Sequence, residues 1–486
     1  MVNYDYLRPP ISLTLPGQLF ESLMGHLFPG DGDEHGAIVL AGISQGSKGT
    51  RLLARELFLA RNGADYVTGK RGYKMLRATF ISDIIAKCRD ERLVYLATHN
   101  HGGRHYVSFS PDDMASHRRG YPALLDITKG MPVGALVFAE EAVAGDLWMP
   151  NGKRFKLDHA IIIGNKRKVI RSKGEFSNFK SDLRYDRQSR LFGDRGQEIL
   201  QSLTVGVIGV GGVGALLIEF LARLGVGHLI VVDPDRIDST NLPRLPGATN
   251  LDAFPWLTRP GTPAFFKKIG ARVCTPKVVY AERIARRANP AIKVTRLFKD
   301  VLDSKVIDPF RDCDYVFLAA DKMQVRLLFN ALVHQYLIPG AQIGSKVETD
   351  KESGKVIDVF SVYRPVTLYS GCLWCNGLIN PKKLQEESLT PDQLRSQRYI
   401  DDTTVVSPSV IGLNAIGVSL AINDFMFYAT GLLETDIELD FQRYQPLSRS
   451  MMLEKPRRDE ECPECGFTMR SRFAKGDTRS LPNRGY

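Results

Sequence analysis

The hydrophobic pattern between residues 204 and 244 predicts a strand, a helix and a second strand in close succession. Val205–Ile208 is a short apolar run, a mainly apolar stretch at about Val213–Leu224 has helical length, and His228–Val232 is again apolar. Strands that alternate with helices are typical of a parallel sheet with helices on its faces. This stretch therefore predicts the opening of a Rossmann-like, doubly wound α/β domain.

Three glycines separate the first of these strands from its helix. Gly209, Gly211 and Gly214 have Gly-x-Gly-x-x-Gly spacing, and Asp233 ends the second strand. In such a loop the glycines allow a tight turn, a close approach of backbone N–H groups to phosphate at the positive helix end, and close helix–strand packing. Asp233 suits a ribose hydroxyl. The spacing alone fits a nicotinamide dehydrogenase as well as an ATP-binding adenylyltransferase.

Residues 1–165 show a separate pattern of short apolar segments, which predicts an independent α/β unit. The predicted elements are a helix with the apolar face Leu19, Phe20, Leu23 and Leu27, strands at Ala37–Ala41 and Leu52–Leu59, a helix at Ile81–Arg89, and a strand at Leu93–Ala97.

Candidate metal ligands follow the last of these strands. His99 and His101 lie two residues apart, so an extended chain points both imidazoles to one side, and Asp113 follows on a Ser110-Pro-Asp-Asp segment. Two histidines and a carboxylate leave a fourth zinc position open for water, as a hydrolytic site requires. The Ser-Pro-Asp-Asp segment is equally typical of an ordinary helix start.

This His-x-His and Ser-x-x-Asp pattern resembles the JAMM metalloprotease family, which cleaves peptide or isopeptide bonds after ubiquitin-like proteins. The resemblance implies one catalytic Zn²⁺ and a Glu in or just before an early strand that exchanges protons with the zinc-bound water. Glu34 matches that place, with Glu56 as a rival. Ser110 would stabilise the oxyanion.

Residues 165–182 are basic and polar without an apolar period, which is typical of a linker. The predicted organisation is a JAMM-type domain at 1–170, a linker at 171–183, an adenylyltransferase domain at 184–467, and a basic flexible tail at 468–486.

Further motifs in one order along the chain distinguish the adenylyltransferase from the dehydrogenase. Arg187-Gln188 precedes the glycine loop; Asn241, Arg244, Lys277, and Asp321 with Arg326 follow it. Together they resemble the superfamily of ubiquitin-activating and molybdopterin/thiamine adenylyltransferases over roughly residues 184–467. The resemblance implies ATP and Mg²⁺ as cofactors and a homodimer.

In that family the residue at Arg187 reaches the triphosphate in the partner subunit. Arg244 and Lys277 would neutralise negative charge on the phosphates, and Asp321 would hold Mg²⁺. One departure is the insertion at residues 245–276, which is expected to act as a lid or a dimer contact. It makes the assignment of Lys277 less direct.

Two Cys-x-x-Cys pairs supply four thiolates for a closed, structural zinc site: Cys372, Cys375, Cys462 and Cys465. Ubiquitin-activating relatives also place a thioester-forming Cys ahead of the segment matched here by VIGLNAIGVSLA. Residues 401–409 contain none. Cys274 is the remaining candidate acyl acceptor, and the prediction is that the reaction stops at the acyl-adenylate.

Net charge and hydrophobicity indicate the kind of binding partner and the cellular location. The net charge of +11 is spread along the 486 residues without a nucleic-acid-binding motif, which favours a partner protein with an acidic face. No apolar run approaches the roughly 18 residues of a membrane span, and the first residues lack a signal peptide's pattern. We expect a cytoplasmic protein.

The combined expectation is a zinc peptidase fused to an adenylyltransferase, both acting on the C-terminus of one ubiquitin-like protein. A separate conjugating or carrier protein would take the acyl group. One alternative is a sulfur-carrier adenylyltransferase that serves cofactor or metabolite synthesis, which would use the same site. Another is a non-catalytic scaffold with degenerate sites. A nicotinamide dehydrogenase is disfavoured by the paired Cys-x-x-Cys motifs.

Overall fold

The computed structural model describes residues 7–67, 75–174, 177–258, 261–350, 355–388, 408–434 and 437–483. The chain forms two compact units. Unit 1 contains Met1–Asn178, His334–Leu337 and Gly466–Ser480; unit 2 contains Phe179–Val333, Ile338–Cys465 and Leu481–Tyr486.

Unit 1 is built on an eight-stranded sheet with the order β1-β3-β2-β4-β5-β6-β7-β8, in which β1 also pairs with β7 and closes the sheet on itself. Its strands are β1 Ile11–Pro16, β2 Gly36–Gly46, β3 Gly49–Leu59, β4 Val94–Asn100, β5 Val133–Phe138, β6 Val143–Trp148, β7 Arg154–Ile163 and β8 Arg167–Ile170. Its helices are α1 Gly17–Leu27, α2 Ala78–Glu91 and α3 Pro111–Ile127.

Both faces of this sheet are covered, which explains why its strands are apolar without alternation. In β2, Val39 packs in a cluster with Leu23 of α1, whereas Ile38 packs in a second cluster with Ile84 of α2 and Tyr121 of α3. Successive residues of a strand point to opposite faces, so each side chain reaches a different layer.

The basic stretch 165–182 contains a strand just before the predicted linker at 171–183. Arg167–Ile170 is strand β8, which pairs antiparallel with β7. Only Ile170 of this strand is buried. A charged edge strand with one buried residue has no hydrophobic period, so its sequence looks like a linker.

Residues 466–480 are also not a flexible tail. Phe473 is fully buried in unit 1, and the Arg55 guanidinium donates hydrogen bonds to the carbonyl oxygens of Phe473 and Thr468. Lys475 pairs with the buried Glu91 at 2.6 Å. These contacts join residues about 400 positions apart, so local composition gave no sign of them.

Unit 2 contains a second eight-stranded sheet with the order β11-β10-β9-β12-β13-β14-β15-β16. Its strands are β9 Thr204–Ile208, β10 His228–Val232, β11 Lys293–Leu297, β12 Tyr315–Leu318, β13 Gly340–Thr349, β14 Val356–Val366, β15 Phe441–Gln445 and β16 Ser450–Glu454. Its helices are α4 Asp186–Ser202, α5 Gly212–Leu224, α6 Asn250–Ala253, α7 Pro255–Thr258, α8 Ala264–Val273, α9 Lys277–Ala288, α10 Met323–Tyr336, α11 Pro381–Ser388 and α12 Ile411–Thr430.

The strand order of unit 2 places its candidate site. Strands β11, β10, β9, β12 and β13 run parallel, and β14 to β16 continue the sheet antiparallel. The chain proceeds from β9 outward to β11, then crosses to β12 on the other side of β9. Ligands of open α/β sheets bind at such a switch point, beyond the carboxyl ends of the strands.

Helix α12 is the one described helix long and apolar enough to cross a membrane, by length and composition alone, and 39% of its apolar window is buried. Val418, Ala421 and Phe425 of this helix pack in the core of unit 2. The expectation that no apolar run reaches this length is therefore wrong. Polar residues such as Asn414 and Asp424 interrupt the run in the sequence.

Candidate nucleotide and metal sites

The glycine loop lies at the switch point and is shaped by two close approaches. Gly209 has a φ of +94°, in the left-handed region that favours glycine. A Cβ on Gly214 would lie 1.9 Å from the carbonyl oxygen of Gly209, whereas a Cβ on Gly211 would meet no atom within 4 Å. The loop therefore packs tightly at its two ends and is open in the middle, at the N-terminus of α5.

Asp233 supports this loop from the end of β10. Its carboxylate accepts hydrogen bonds from the backbone N–H groups of Val210 at 2.7 Å and Asp235 at 2.9 Å, and burial raises its pKa. Lys277, the first residue of α9, places its Nζ 2.7 Å from Asp235 and 3.6 Å from Asp233. The ammonium group of Lys277, which follows the insertion at residues 245–276 in the sequence, therefore lies next to the glycine loop.

Arg244 brings a second cation to the N-terminus of α5. It ends a 3-10 turn at Leu242–Arg244, and its Cβ and Cδ would each lie 3.3 Å from a Cβ on Gly212. Its guanidinium makes no hydrogen bond or ion pair with a described residue, so its charge is not compensated there. Asn241 is buried and accepts a hydrogen bond from Asp238 N–H at 3.4 Å, which shapes the turn.

Asp321 follows the carboxyl end of β12 and is exposed. Its neighbour Ala320 packs 3.4 Å from the Cβ position of Gly209, so the carboxylate emerges beside the loop. Arg326 of α10 instead donates to the carbonyl oxygen of Leu378 at 2.6 Å. Arg187 of α4 is exposed and, within the described ranges, makes no hydrogen bond or ion pair.

The sequence interpretation missed Asn414 of α12. This side chain is buried, its Nδ2 would lie 2.5 Å from a Cβ on Gly212, and its Oδ1 accepts a hydrogen bond from Ser345 at 2.7 Å. Asn414 therefore supports the glycine loop from beneath. The available signal was one amide near the start of an otherwise apolar helix.

The four predicted thiolates come together in unit 2. The Sγ–Sγ distances are 3.7 Å for Cys372–Cys375, 3.8 Å for Cys372–Cys462 and 3.5 Å for Cys375–Cys465. A zinc tetrahedron with Zn–S bonds of about 2.3 Å has edges of about 3.8 Å. The cluster fits a structural Zn²⁺.

The predicted metal ligands of unit 1 also converge. His99 Nε2 and His101 Nε2 lie 3.2 Å apart, and each lies 3.4 Å from an oxygen of Asp113. The ligand atoms of all three residues lie within 4.8 Å of one another. Since each side chain is only partly buried, the group is accessible to solvent and has the donor set of an open zinc site.

Glu34 lies beside these residues, with Oε1 3.9 Å from His101 Nε2. Its loop is held by Asn100, whose Oδ1 accepts the His35 N–H at 2.6 Å. Burial raises the pKa of Glu34. The rival Glu56 instead pairs with Lys87, so the structure brings Glu34 and not Glu56 to the metal ligands.

Ser110 forms the helix start considered for it and also contacts the predicted metal ligand Asp113. Its hydroxyl accepts the Asp113 N–H as the N-cap of α3 and donates to Asp113 Oδ2 at 2.8 Å. Burial tends to raise the pKa of Asp113, but hydrogen bonds from His101 and His99 hold it well below its usual range. The hydrogen bond to Asp113 raises the pKa of His101. The carboxylate is therefore ionised, as a metal ligand must be.

Comparison with known proteins decides the classification of unit 2. The ThiF family model matches residues 185–463, more than half of the chain. The chain belongs to the ThiF family. The match contains the glycine loop and Cys372, Cys375 and Cys462, and it includes none of residues 1–184.

Two curated relatives are similar over part of this ThiF-family domain. The sulfur carrier protein ThiS adenylyltransferase of Bacillus subtilis is 32% identical over 167 residues, which cover 33% of this chain and 44% of that protein. The SAMP-activating enzyme E1 of Haloferax volcanii is 33% identical over 138 residues, 28% of this chain and 44% of that protein. The chain thus spans less than half the length of either relative.

Among solved structures, E. coli MccB with succinimide is similar at 17% identity and a TM-score of 0.43. The alignment covers 59% of this chain and 75% of that chain.

Proposed function

We propose that this ThiF-family protein adenylates the C-terminus of a ubiquitin-like or sulfur-carrier protein with ATP. The observation that carries the proposal is the uncompensated Arg244 guanidinium at the open N-terminus of α5, with Lys277 and Asp321 beside the same loop. Cations at a helix N-terminus stabilise phosphate, and a free carboxylate suits Mg²⁺. The two relatives are named as activating enzymes of this kind.

In the proposed reaction, a carboxylate oxygen of the partner's C-terminus attacks the α-phosphorus of ATP, and pyrophosphate leaves. Arg244 and Lys277 stabilise the negative charge that develops on the phosphate oxygens. Mg²⁺ held by Asp321 would neutralise further phosphate charge. Asp233 orients the loop and the ribose, and Arg187 serves the site of a partner subunit in a homodimer.

The acyl-adenylate is the proposed end of the reaction on this chain. Cys274 is a poor acyl acceptor because its thiol is buried, donates to the Ala253 carbonyl oxygen at 3.2 Å, and has a pKa raised by burial. Burial likewise raises the pKa of Cys88 to about 12. Residues 401–407, where the thioester-forming Cys of ubiquitin-activating enzymes would align, lie outside the described residues. A separate carrier or thiol would receive the acyl group.

Asp321→Ala tests the adenylation proposal. Exchange of pyrophosphate into ATP, measured with each candidate ubiquitin-like or sulfur-carrier protein, should fall at least about 100-fold because a metal ligand is lost. Asp308→Ala is the control, since Asp308 is exposed and its one ion pair with a described residue is with Arg311. Wild-type exchange in Asp321→Ala would refute the assignment, and no exchange in the wild type with any partner would refute the proposal.

We propose a second function for unit 1, as a zinc peptidase that trims or deconjugates the same partner. The convergence of His99, His101 and Asp113 beside Glu34 favours it. Bound Zn²⁺ would supply an activated water. Glu34 would take the proton of that water and pass it to the leaving amine, and Ser110 would stabilise the oxyanion.

Zinc content separates the two metal sites. His99→Ala should remove one zinc per chain and all peptidase activity but leave pyrophosphate exchange unchanged. Cys462→Ser should remove the other zinc and destabilise unit 2, because structural zinc contributes folding free energy. Unchanged zinc content in His99→Ala would show that unit 1 holds no metal at these residues.

The alternatives predict different products. A sulfur-carrier adenylyltransferase would yield a thiocarboxylate and AMP when sulfide is added, because sulfide displaces AMP from the acyl-adenylate. A ubiquitin-like activator would instead yield conjugates to amines, again with release of AMP. A scaffold would show neither exchange nor cleavage.

A further inference from the structure

A polar pocket lies in unit 2 where β14 and the β15–β16 hairpin meet the loop that carries Cys375. Its volume is about 510 Å³, and the lining includes Arg364 of β14, Glu454 of β16, and Lys455 and Arg457 just after it. Three cations therefore face one carboxylate. None of these residues belongs to the predicted nucleotide or zinc sites.

Arg364 is the unusual member of this lining. Its guanidinium donates one hydrogen bond, to the Gln342 side-chain oxygen at 2.7 Å, and has no ion pair with a described residue. A guanidinium has five N–H donors. Its other donors border the pocket, and a largely buried cation without a carboxylate partner is costly unless an anion joins it.

The surroundings of Arg364 add to the positive field. Burial, with the neighbouring Arg326 and Arg443, lowers its pKa to about 10, and Glu454 offsets only part of this effect. The neighbours already have acceptors: Arg443 pairs with Asp358, and Arg326 donates to Leu378 O. Of these three arginines, only Arg364 lines the pocket.

Arg457 provides a second free guanidinium on the pocket wall. Its backbone N–H donates to Asn376 Oδ1 at 2.7 Å, which fixes the chain there, and its side chain makes no hydrogen bond or ion pair with a described residue. Lys455, by contrast, pairs with Glu438 at 2.6 Å. A guanidinium can bind an oxyanion through two parallel hydrogen bonds, and both Arg457 and the remaining donors of Arg364 are available for this.

We propose that this pocket binds a small free oxyanion, a carboxylate or a phosphate, between Arg364 and Arg457. The proposal goes beyond adenylation, because the pocket lies away from the glycine loop and its lining shares no residue with that site. Glu454 opposes the anion by charge repulsion and thereby limits its affinity.

Calorimetric titration of the full-length, zinc-loaded protein tests this inference. Inorganic phosphate and succinate are the two probes, added with a non-hydrolysable ATP analogue that occupies the nucleotide site. Arg364→Gln should weaken binding of the anion at least about tenfold, since a charge-assisted pair is lost. Arg364→Lys should weaken anion binding less than Arg364→Gln does, because the positive charge remains and only the pair of parallel guanidinium N–H donors is lost.

Two further variants give opposite expectations. Arg457→Gln alters an exposed side chain and should also weaken binding, whereas Glu454→Gln should tighten it several-fold by removing the opposing charge. Lys293→Gln is the matched charge control, since Lys293 is exposed on β11 at the other end of the sheet. Zinc content of all variants checks the fold beside Cys375.

The outcomes are distinguishable. Binding of phosphate alone identifies a phosphate site, and binding of succinate alone identifies a carboxylate site. No binding of either probe, or equal affinity in wild type, Arg364→Gln and Arg457→Gln, would overturn the proposal. If the wild-type protein shows no pyrophosphate exchange with any partner but still binds the anion, the proposed function is refuted and this inference stands.

Discussion

The two glutamates near the early strands of unit 1 differ in their charged neighbours, which sets what each can do. Glu34 is 3.9 Å from His101 and burial raises its pKa, which supports its proposed role in exchanging protons with a metal-bound water. Glu56 is paired with Lys87 and lies 3.5 Å from Arg55. The Glu56 carboxylate is therefore occupied by these two structural ion pairs.

We predict that Glu34→Gln lowers the rate at which a C-terminal extension is cleaved from a ubiquitin-like protein by about 100-fold or more. The zinc content of this variant should stay at the wild-type value. Glu56→Gln should retain cleavage and lower the free energy of unfolding of unit 1, because Lys87 and Arg55 lose an ionised partner. The reverse pattern, with cleavage lost only in Glu56→Gln, would exchange their roles.

At the scale of elements, the β9–loop–α5 turn has one glycine that is needed for packing and one that is needed for access. Gly214 lets α5 lie against the backbone of Gly209, whereas Gly211 borders open space. The same loop is braced by Asp233 from β10 and Asn414 from α12. A fixed loop presents its N–H groups to phosphate without further ordering cost.

Substitutions of these two glycines should affect different properties, the free energy of unfolding at Gly214 and ATP affinity at Gly211. Gly214→Ala should destabilise unit 2 by about 1–3 kcal/mol, because its Cβ would overlap the Gly209 carbonyl oxygen. Gly211→Ala should leave the free energy of unfolding nearly unchanged but weaken ATP binding about tenfold or more, because its methyl group occupies the approach to phosphate. Chemical denaturation and nucleotide titration measure the two effects. Wild-type ATP affinity in Gly211→Ala would refute a phosphate site here.

At the scale of the whole molecule, unit 1 is completed by residues from the far end of the chain. Phe473 is fully buried, and the only charged partner of Lys475 among the described residues is Glu91. The segment that carries them, Gly466–Ser480, begins immediately after Cys465 and belongs to unit 1.

A chain that ends at Cys465 should therefore have a less stable unit 1. Loss of a buried Phe costs about 3–5 kcal/mol, and Arg55 and Glu91 would lose buried partners. Hydrogen exchange of β3 and β4 amides should increase, while the zinc of the four cysteines is retained. Lys455→Ala, which breaks an exposed pair with Glu438, is the control. Unchanged exchange in the truncated chain would contradict this account.

The sequence by itself determined the features that depend on spacing within one stretch of chain. Three features are local patterns: the glycine loop with the turn that ends in Arg244, the His99-x-His101 pair, and the paired cysteines. They can be read from the sequence because backbone geometry fixes which near neighbours lie on the same side of a strand or in the same turn. These patterns were sufficient to predict an α/β fold with a Rossmann-like domain, and the ThiF-family match confirms that domain.

Only the tertiary structure decided the features that join distant residues. Asn414 reaches the glycine loop from 200 positions away, Lys475 pairs with Glu91, and Arg364 is left without a carboxylate at the edge of its pocket. A side chain's burial and charge partners are set by which strands and helices pack together. That packing follows from many weak contacts summed over each unit, and no short motif encodes it.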